Sequence, residues 1–156
     1  MPMRVSANVN NFQLRKRREA AYTNILLDYL LKRQPFYESV KKVFNMCLFK
    51  IDGCVTPHSL IDVFYILSER TDATAEYCRE TILKLRAVLS VIPENDDRVS
   101  VAAQNSAFDD FEDSMQNESA MFAGVDYIIT RNKKDFANST IQIVTPEEFL
   151  VLVNAE

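Results

Sequence analysis

DFEDSMQNESAMFAGVDYIITRNKKDF, residues 110 to 136, runs from a charged segment through a glycine into an unbroken apolar stretch and out into a polar loop. Its reading decides the fold. The part before Gly124 has helical spacing, with Phe108, Phe111, Met115 and Phe122 as the apolar stripe and Gly124 as terminator. VDYIIT, residues 125–130, is apolar almost throughout and of strand length, as expected for a parallel strand covered on both faces. Asp109, Asp110, Glu112 and Asp113 place four carboxylates in five positions at the start of the helix. Phe111 and Asp113 point about 200° apart on a helix, so Asp109, Asp110, Asp113 and Asn117 are expected opposite the stripe. Like charges three and four apart repel by about 0.2–0.5 kcal/mol per pair. The crowding therefore implies a bound cation or a basic partner, with a plain solvated face as the alternative.

Working outward, the same alternation of periods continues. Leu26, Leu27, Leu30 and Leu31 recur at helical spacing, with Thr23 or Asn24 as the cap and Pro35 beyond the end. A second helix from about Pro35 presents Val40, Val43, Phe44 and Cys47. Residues 51–56 form a strand candidate leading to Thr56-Pro57, a cap followed by proline at the first helical position, and then to Leu60, Val63, Phe64 and Leu67. Ala75, Cys78, Ile82 and Leu85 mark another helix, and VLSVIP, residues 88–93, reads as a strand. QIVT is a further strand, and Thr145-Pro146-Glu147-Glu148 has capping-box spacing ahead of a last helix. Strands alternating with helices predict an α/β domain around a mostly parallel central sheet, whose sites form beyond the carboxyl ends of the strands.

Composition bounds the possibilities. A chain of 156 residues with 47% hydrophobic and 26% charged residues is about one globular domain. Its two glycines exclude a glycine-rich phosphate loop. Cys47, Cys54 and Cys78 lack CxxC spacing and His58 is the one histidine, which disfavours zinc; the cysteines suit buried positions in a reducing compartment. No signal-peptide-like or membrane-spanning apolar run is present, so a cytoplasmic protein without membrane partners is expected. Residues 1–50 carry ten Lys and Arg against three acids, and residues 51–156 carry eight against nineteen. A basic half can meet a polyanion while an acidic half meets metal, or the two halves can attract each other.

Residues 110–136 resemble the C-terminal signature of PIN-domain proteins, in which an aspartate-bearing helix leads to a buried strand and a TRN-x-KDF loop. Three further blocks are similar to the same family in the same order. They are TNILLDYLLKRQPFYESVKKVF at 23–44, VTPHSLIDVFYILSER at 55–70 and IQIVTPEEFL at 141–150. The resemblance implies a Rossmann-like PIN domain over residues 22–156, preceded by a divergent basic arm at 1–21. It also implies a metal-dependent nuclease of the toxin class that cleaves RNA and is restrained by an antitoxin-like protein, with a homodimer as a further arrangement. By the same resemblance Asp62, Asp113 and Asp135 are catalytic, and these three with Asn132 hold Mg²⁺ or Mn²⁺. Asp110 is a weaker candidate. Such hard cations take oxygen ligands, and an ion of this kind can activate water and neutralise charge at the attacked phosphate. Arg131, Lys133 and Lys134 in the loop, and Arg15 and Arg17 in the arm, are candidate contacts to nucleic acid. His58 reads as a surface or packing residue, and Asn132 could equally serve the turn.

One position departs from the family. Where its first strand runs into an aspartate followed by Thr-Asn, this chain has Tyr22-Thr23-Asn24. A phenol with a pKa of about 10 stays neutral and ligates Mg²⁺ poorly, so impaired cleavage is expected, with a silent RNA-binding or antitoxin-binding module as the alternative. Asp28 lies within the following helix and does not stand in for it. LRKRREAAY, residues 14–22, has four consecutive cations and high helix propensity. Residues 20–22 are therefore a strand remnant, or the helix extends backward and the sheet loses its central strand unless MRVSANV at 3–9 supplies one.

Overall fold

The computed structural model describes residues 17–21 and 23–154, with side chains from residue 24 onward. Tyr22 and the 3–9 stretch lie outside the described residues. The strands are β1 (Arg17–Ala21), β2 (Ile51–Val55), β3 (Ser90–Val91), β4 (Tyr127–Ile129) and β5 (Gln142–Val144). They form one parallel sheet in the order β3-β2-β1-β4-β5. The helices are α1 (Thr23–Leu30), α2 (Tyr37–Cys47), α3 (Pro57–Arg70), α4 (Ala75–Val88), α5 (Asp96–Gln104), α6 (Phe111–Ala123) and α7 (Pro146–Asn154), with a 3-10 helix at Lys133–Phe136.

Of the two alternatives for the first strand, a strand remnant or a backward-extended helix, the described residues show a strand, longer than residues 20–22 implied. RREAA is the central strand, registered with Arg17 opposite Ile51 on one side and Ala21 opposite Ile129 on the other. Main-chain ladders on both edges outweigh helix-propensity differences of less than about 1 kcal/mol per residue. The sheet thus takes in residues on the arm side of the expected boundary at Tyr22.

Side chains alternate between the two faces of the sheet, as the period of two requires. Ile51 and Val55 of β2 and Ile129 of β4 join a core with Leu26, Val40, Phe44, Val63, Leu67 and Phe149. Cys54 and Ile128 point the other way, into a smaller cluster with Ile92, Ala120, Val125 and Phe136. Cys54 and Cys78 are buried, Cys47 is half-buried, and none of the three is in a disulfide. Among the described residues no helix is long and apolar enough to cross a membrane.

The helix signals act as their chemistry predicts. The Thr56 hydroxyl accepts from the Ser59 N–H at 3.2 Å and Pro57 opens α3. At α7 the Thr145 N–H donates to Glu148 Oε2 at 2.9 Å and the Glu148 N–H to Thr145 Oγ1 at 3.2 Å, a reciprocal capping box. Gly124 terminates α6 with φ 63°, a left-handed conformation that glycine adopts without a Cβ clash. VLSVIP differs: Val88 ends α4, and only Ser90–Val91 is strand.

α6 departs most from its sequence reading. Phe111 and Phe122 are exposed, whereas Ser114, Gln116, Asn117, Ser119, Ala120 and Ala123 are buried. The helix packs closely through small and polar residues, and Ser114 Oγ donates to the Ala102 carbonyl of α5 at 2.8 Å. Asn117, one turn beyond Asp113, is buried. The large ring of Phe122 lies outside, under the Arg98 guanidinium at 3.7 Å. Helix α5 was not foreseen, because DDRVSVAAQ leaves Val99 and Val101 exposed and has no apolar stripe.

Candidate functional site

Where β4 ends, the chain enters Thr130-Arg131-Asn132 and the 3-10 helix; across from it stand α3, the first turn of α6 and the start of α1. Together they wall a cleft of about 360 Å³. Its lining includes Asp62 from α3, Asp113 from α6, and Asn132 and Asp135 from the loop, the four residues expected to lie together. Asn24, Arg33, Asp110, Glu112, Gln116 and Thr130 line it too.

Each donor is held by local structure. Asp110 caps α6, its Oδ1 accepting from the Glu112 N–H at 2.8 Å and the Asp113 N–H at 3.1 Å. A carboxylate is well placed at that positive helix end. Asp113, one turn further on, has its carboxyl pushed up to about 6 by burial first, and then by the charges of Asp110, Asp135 and Glu112. Asn132 is fixed through its N–H, which donates to Thr130 Oγ1 at 3.1 Å, while Asn24 Nδ2 donates to the same hydroxyl at 3.4 Å. Asn24 thus lies inside α1 and braces the loop, where a helix cap was expected. Its Oδ1 is a buried acceptor with no hydrogen-bond partner among the described residues.

His58 is placed beside the cleft. Its Nε2 is 3.4 Å from Asp62 Oδ2, one turn along α3, and 3.3 Å from Glu112 Oε1. The three residues bring one ligand atom each within 4.8 Å of one another. The donors are oxygen-rich and negatively charged, and burial together with crowding raises the affinity of Asp113 for a proton. Both properties fit a hard divalent cation.

Of the cations expected near phosphate, Arg131 is forked onto the fully buried Asp28, Nε to Oδ2 at 2.6 Å and the terminal nitrogen to Oδ1 at 3.1 Å. Its guanidinium also lies 4.2 Å from the Phe36 ring centroid. Lys133 Nζ donates to both Glu148 carboxylate oxygens, at 3.0 and 2.9 Å, and this contact holds the Glu148 carboxyl below its usual range. Lys134 is exposed. Arg15 lies outside the described residues, and Arg17 is in β1. Arg33, His58, Glu112 and Asn24 were not singled out as site residues from sequence. The local signals for them were the i,i+4 spacing of His58 and Asp62 and the place of Glu112 in the acidic cluster.

The described residues form an α/β protein with an acid-walled cleft beyond the carboxyl ends of a parallel sheet. The family model described as PIN domain matches residues 23–134, and the chain belongs to the PIN-domain family, whose members typically bind Mg²⁺. A search of curated protein sequences finds no match. Among solved structures, a toxin-antitoxin complex from Klebsiella pneumoniae is similar with TM-score 0.64 at 20% identity, over 82% of this chain and 97% of that one. DNA-bound VapBC from Salmonella typhimurium gives 0.63 at 16% identity, over 83% and 98%. VapC20 from Mycobacterium tuberculosis, a sarcin-ricin loop cleaving toxin, gives 0.56 at 12%, over 70% and 86%. At these identities the likeness is one of fold.

Proposed function

We propose that this protein is a metal-dependent endoribonuclease of the toxin class, acting in the cytoplasm, with cleavage weakened by Tyr22. The observation that carries the reading is the meeting of Asp62, Asp113, Asn132 and Asp135 in one cleft. Asp62, Asp113 and Asp135 are the catalytic acids, and with Asn132 they would hold Mg²⁺ or Mn²⁺. When bound, the ion supplies activation of water and neutralisation of charge at the phosphate. Asn24 and Thr130 orient Asn132, and the Asp110 cap orients the first turn of α6 that carries Asp113. Arg131 fixes the loop through Asp28, while Lys134, with Arg15 and Arg17 of the arm, attracts the RNA backbone. An antitoxin-like protein is the partner expected for this class, as the Klebsiella relative is a toxin-antitoxin complex.

Tyr22 follows directly on β1 in sequence and takes the position of the family's first aspartate. Tyr22→Asp should tighten Mg²⁺ or Mn²⁺ binding and raise chelator-sensitive RNA cleavage by tens of fold, roughly 2 kcal/mol for one regained charge-assisted ligand. Adding Asp62→Ala should abolish the gain. Full metal-dependent cleavage by the wild type would show that Tyr22 is no deficiency. An aspartate variant that binds metal but stays inert would favour a silent binding module.

A further inference from the structure

We propose that Arg33 is the substrate-phosphate anchor of the acidic cleft, its guanidinium holding the RNA backbone beside the carboxylates. This rests on the RNA-cleaving reading above. Five carboxylates line the cleft, Asp62, Asp110, Glu112, Asp113 and Asp135, and Arg33 is the one cation among the described lining residues. A polyanion entering there meets net repulsion unless a cation receives it.

The availability of Arg33 follows from how Asp28 is used. Asp28 is the acid nearest to it, but both oxygens of Asp28 already accept the fork from Arg131. Arg33 is left with a contact of 3.8 Å to Oδ1, beyond hydrogen-bond range, and its side chain stays 38% exposed. The two arginines thus divide the work: Arg131 neutralises a buried acid, and Arg33 keeps its charge for the cleft. Its backbone is set, since its N–H donates to the Asp28 carbonyl at 3.0 Å and its carbonyl accepts from the Tyr37 N–H at 2.8 Å. A planar guanidinium can hold two phosphate oxygens at once, which a lysine cannot.

The test is equilibrium binding of a fluorescent single-stranded RNA oligonucleotide to the full chain in Mg²⁺ at several salt concentrations, read as initial anisotropy. Arg33→Gln should weaken binding about tenfold and lower the salt slope by about 0.7, the counterion share of one single-strand phosphate contact. Arg79→Gln, which removes the same charge from the exposed face of α4, should change affinity far less. Arg33→Lys should retain the slope while losing affinity severalfold, and it serves as the second variant if the glutamine form does not fold. Equal effects of Arg33→Gln and Arg79→Gln, or wild-type affinity in Arg33→Lys, would overturn the anchor while leaving the nuclease reading intact. Absence of RNA binding by the wild type would overturn both.

Discussion

At the scale of single residues, Asp113 carries the most specific consequence. The folded protein holds a proton on this carboxyl up to about pH 6, whereas the unfolded chain releases it near 3.8. Between those values the folded state binds more protons, so stability falls as pH rises through the window and the loss is complete above about 6. Asp113→Asn lacks the group. In metal-free thermal melts the variant should match the wild type near pH 4 and become relatively more stable toward pH 6 and above, while gaining less from added Mg²⁺. A variant less stable throughout would mark Asp113 as a structural residue. The crowding itself was legible in DDFED, and Asp62, Asn132 and Asp135 were legible through their motif blocks. Arg33 was not, and the pairing of His58 with Glu112 was not, because these depend on contacts between separate elements that no local spacing encodes.

Among the elements, β1 and α6 show where periodicity misleads. In β1 the pairing partners outweigh composition: RREAA leaves strand and helix open until β2 and β4 are known to need a strand between them. In α6 the small and polar face is the packed one, since close approach to α5 and the sheet has no room for phenylalanine. Caps and turns were legible, at Thr56, Thr145 and Gly124, because each acts over a few residues. The join between α1 and the loop after β4 was hidden, resting on Asp28 and Arg131, 103 residues apart in the chain. Removing one member of a buried ion pair leaves a charge uncompensated or a fork without its acceptor, at a cost of about 3–5 kcal/mol. Arg131→Met strands the fully buried Asp28 carboxylate and should therefore lower the denaturation midpoint sharply and loosen the loop bearing Asn132 and Asp135. Asp28→Ala should cost less, because the part-exposed Arg131 that it leaves behind can turn to water. Equal and small losses in both variants would show that the fork does not hold the loop.

For the whole molecule, the position of β1 sets what can be removed. The sheet is continuous only through this strand, which joins β3 and β2 on one side to β4 and β5 on the other. Deleting residues 1–16 leaves the five described strands in the chain, whereas deleting residues 1–21 removes the central one and exposes the ladder edges of β2 and β4. The shorter deletion should unfold cooperatively at close to the full-length midpoint. The longer one should lose its cooperative transition, because the two apolar clusters pack on opposite faces of a sheet that no longer closes. Residues 1–16 also hold three of the chain's basic residues, Arg4, Arg15 and Lys16. Their removal should flatten the salt dependence of RNA binding without altering the Mg²⁺ response of the cleft. Denaturation and anisotropy on the two truncations separate these effects. If loss of residues 1–21 leaves a cooperative fold, β1 is dispensable and the domain begins at α1. If loss of residues 1–16 alone destroys the fold, the arm contributes to the packed domain as well as to any contact with RNA.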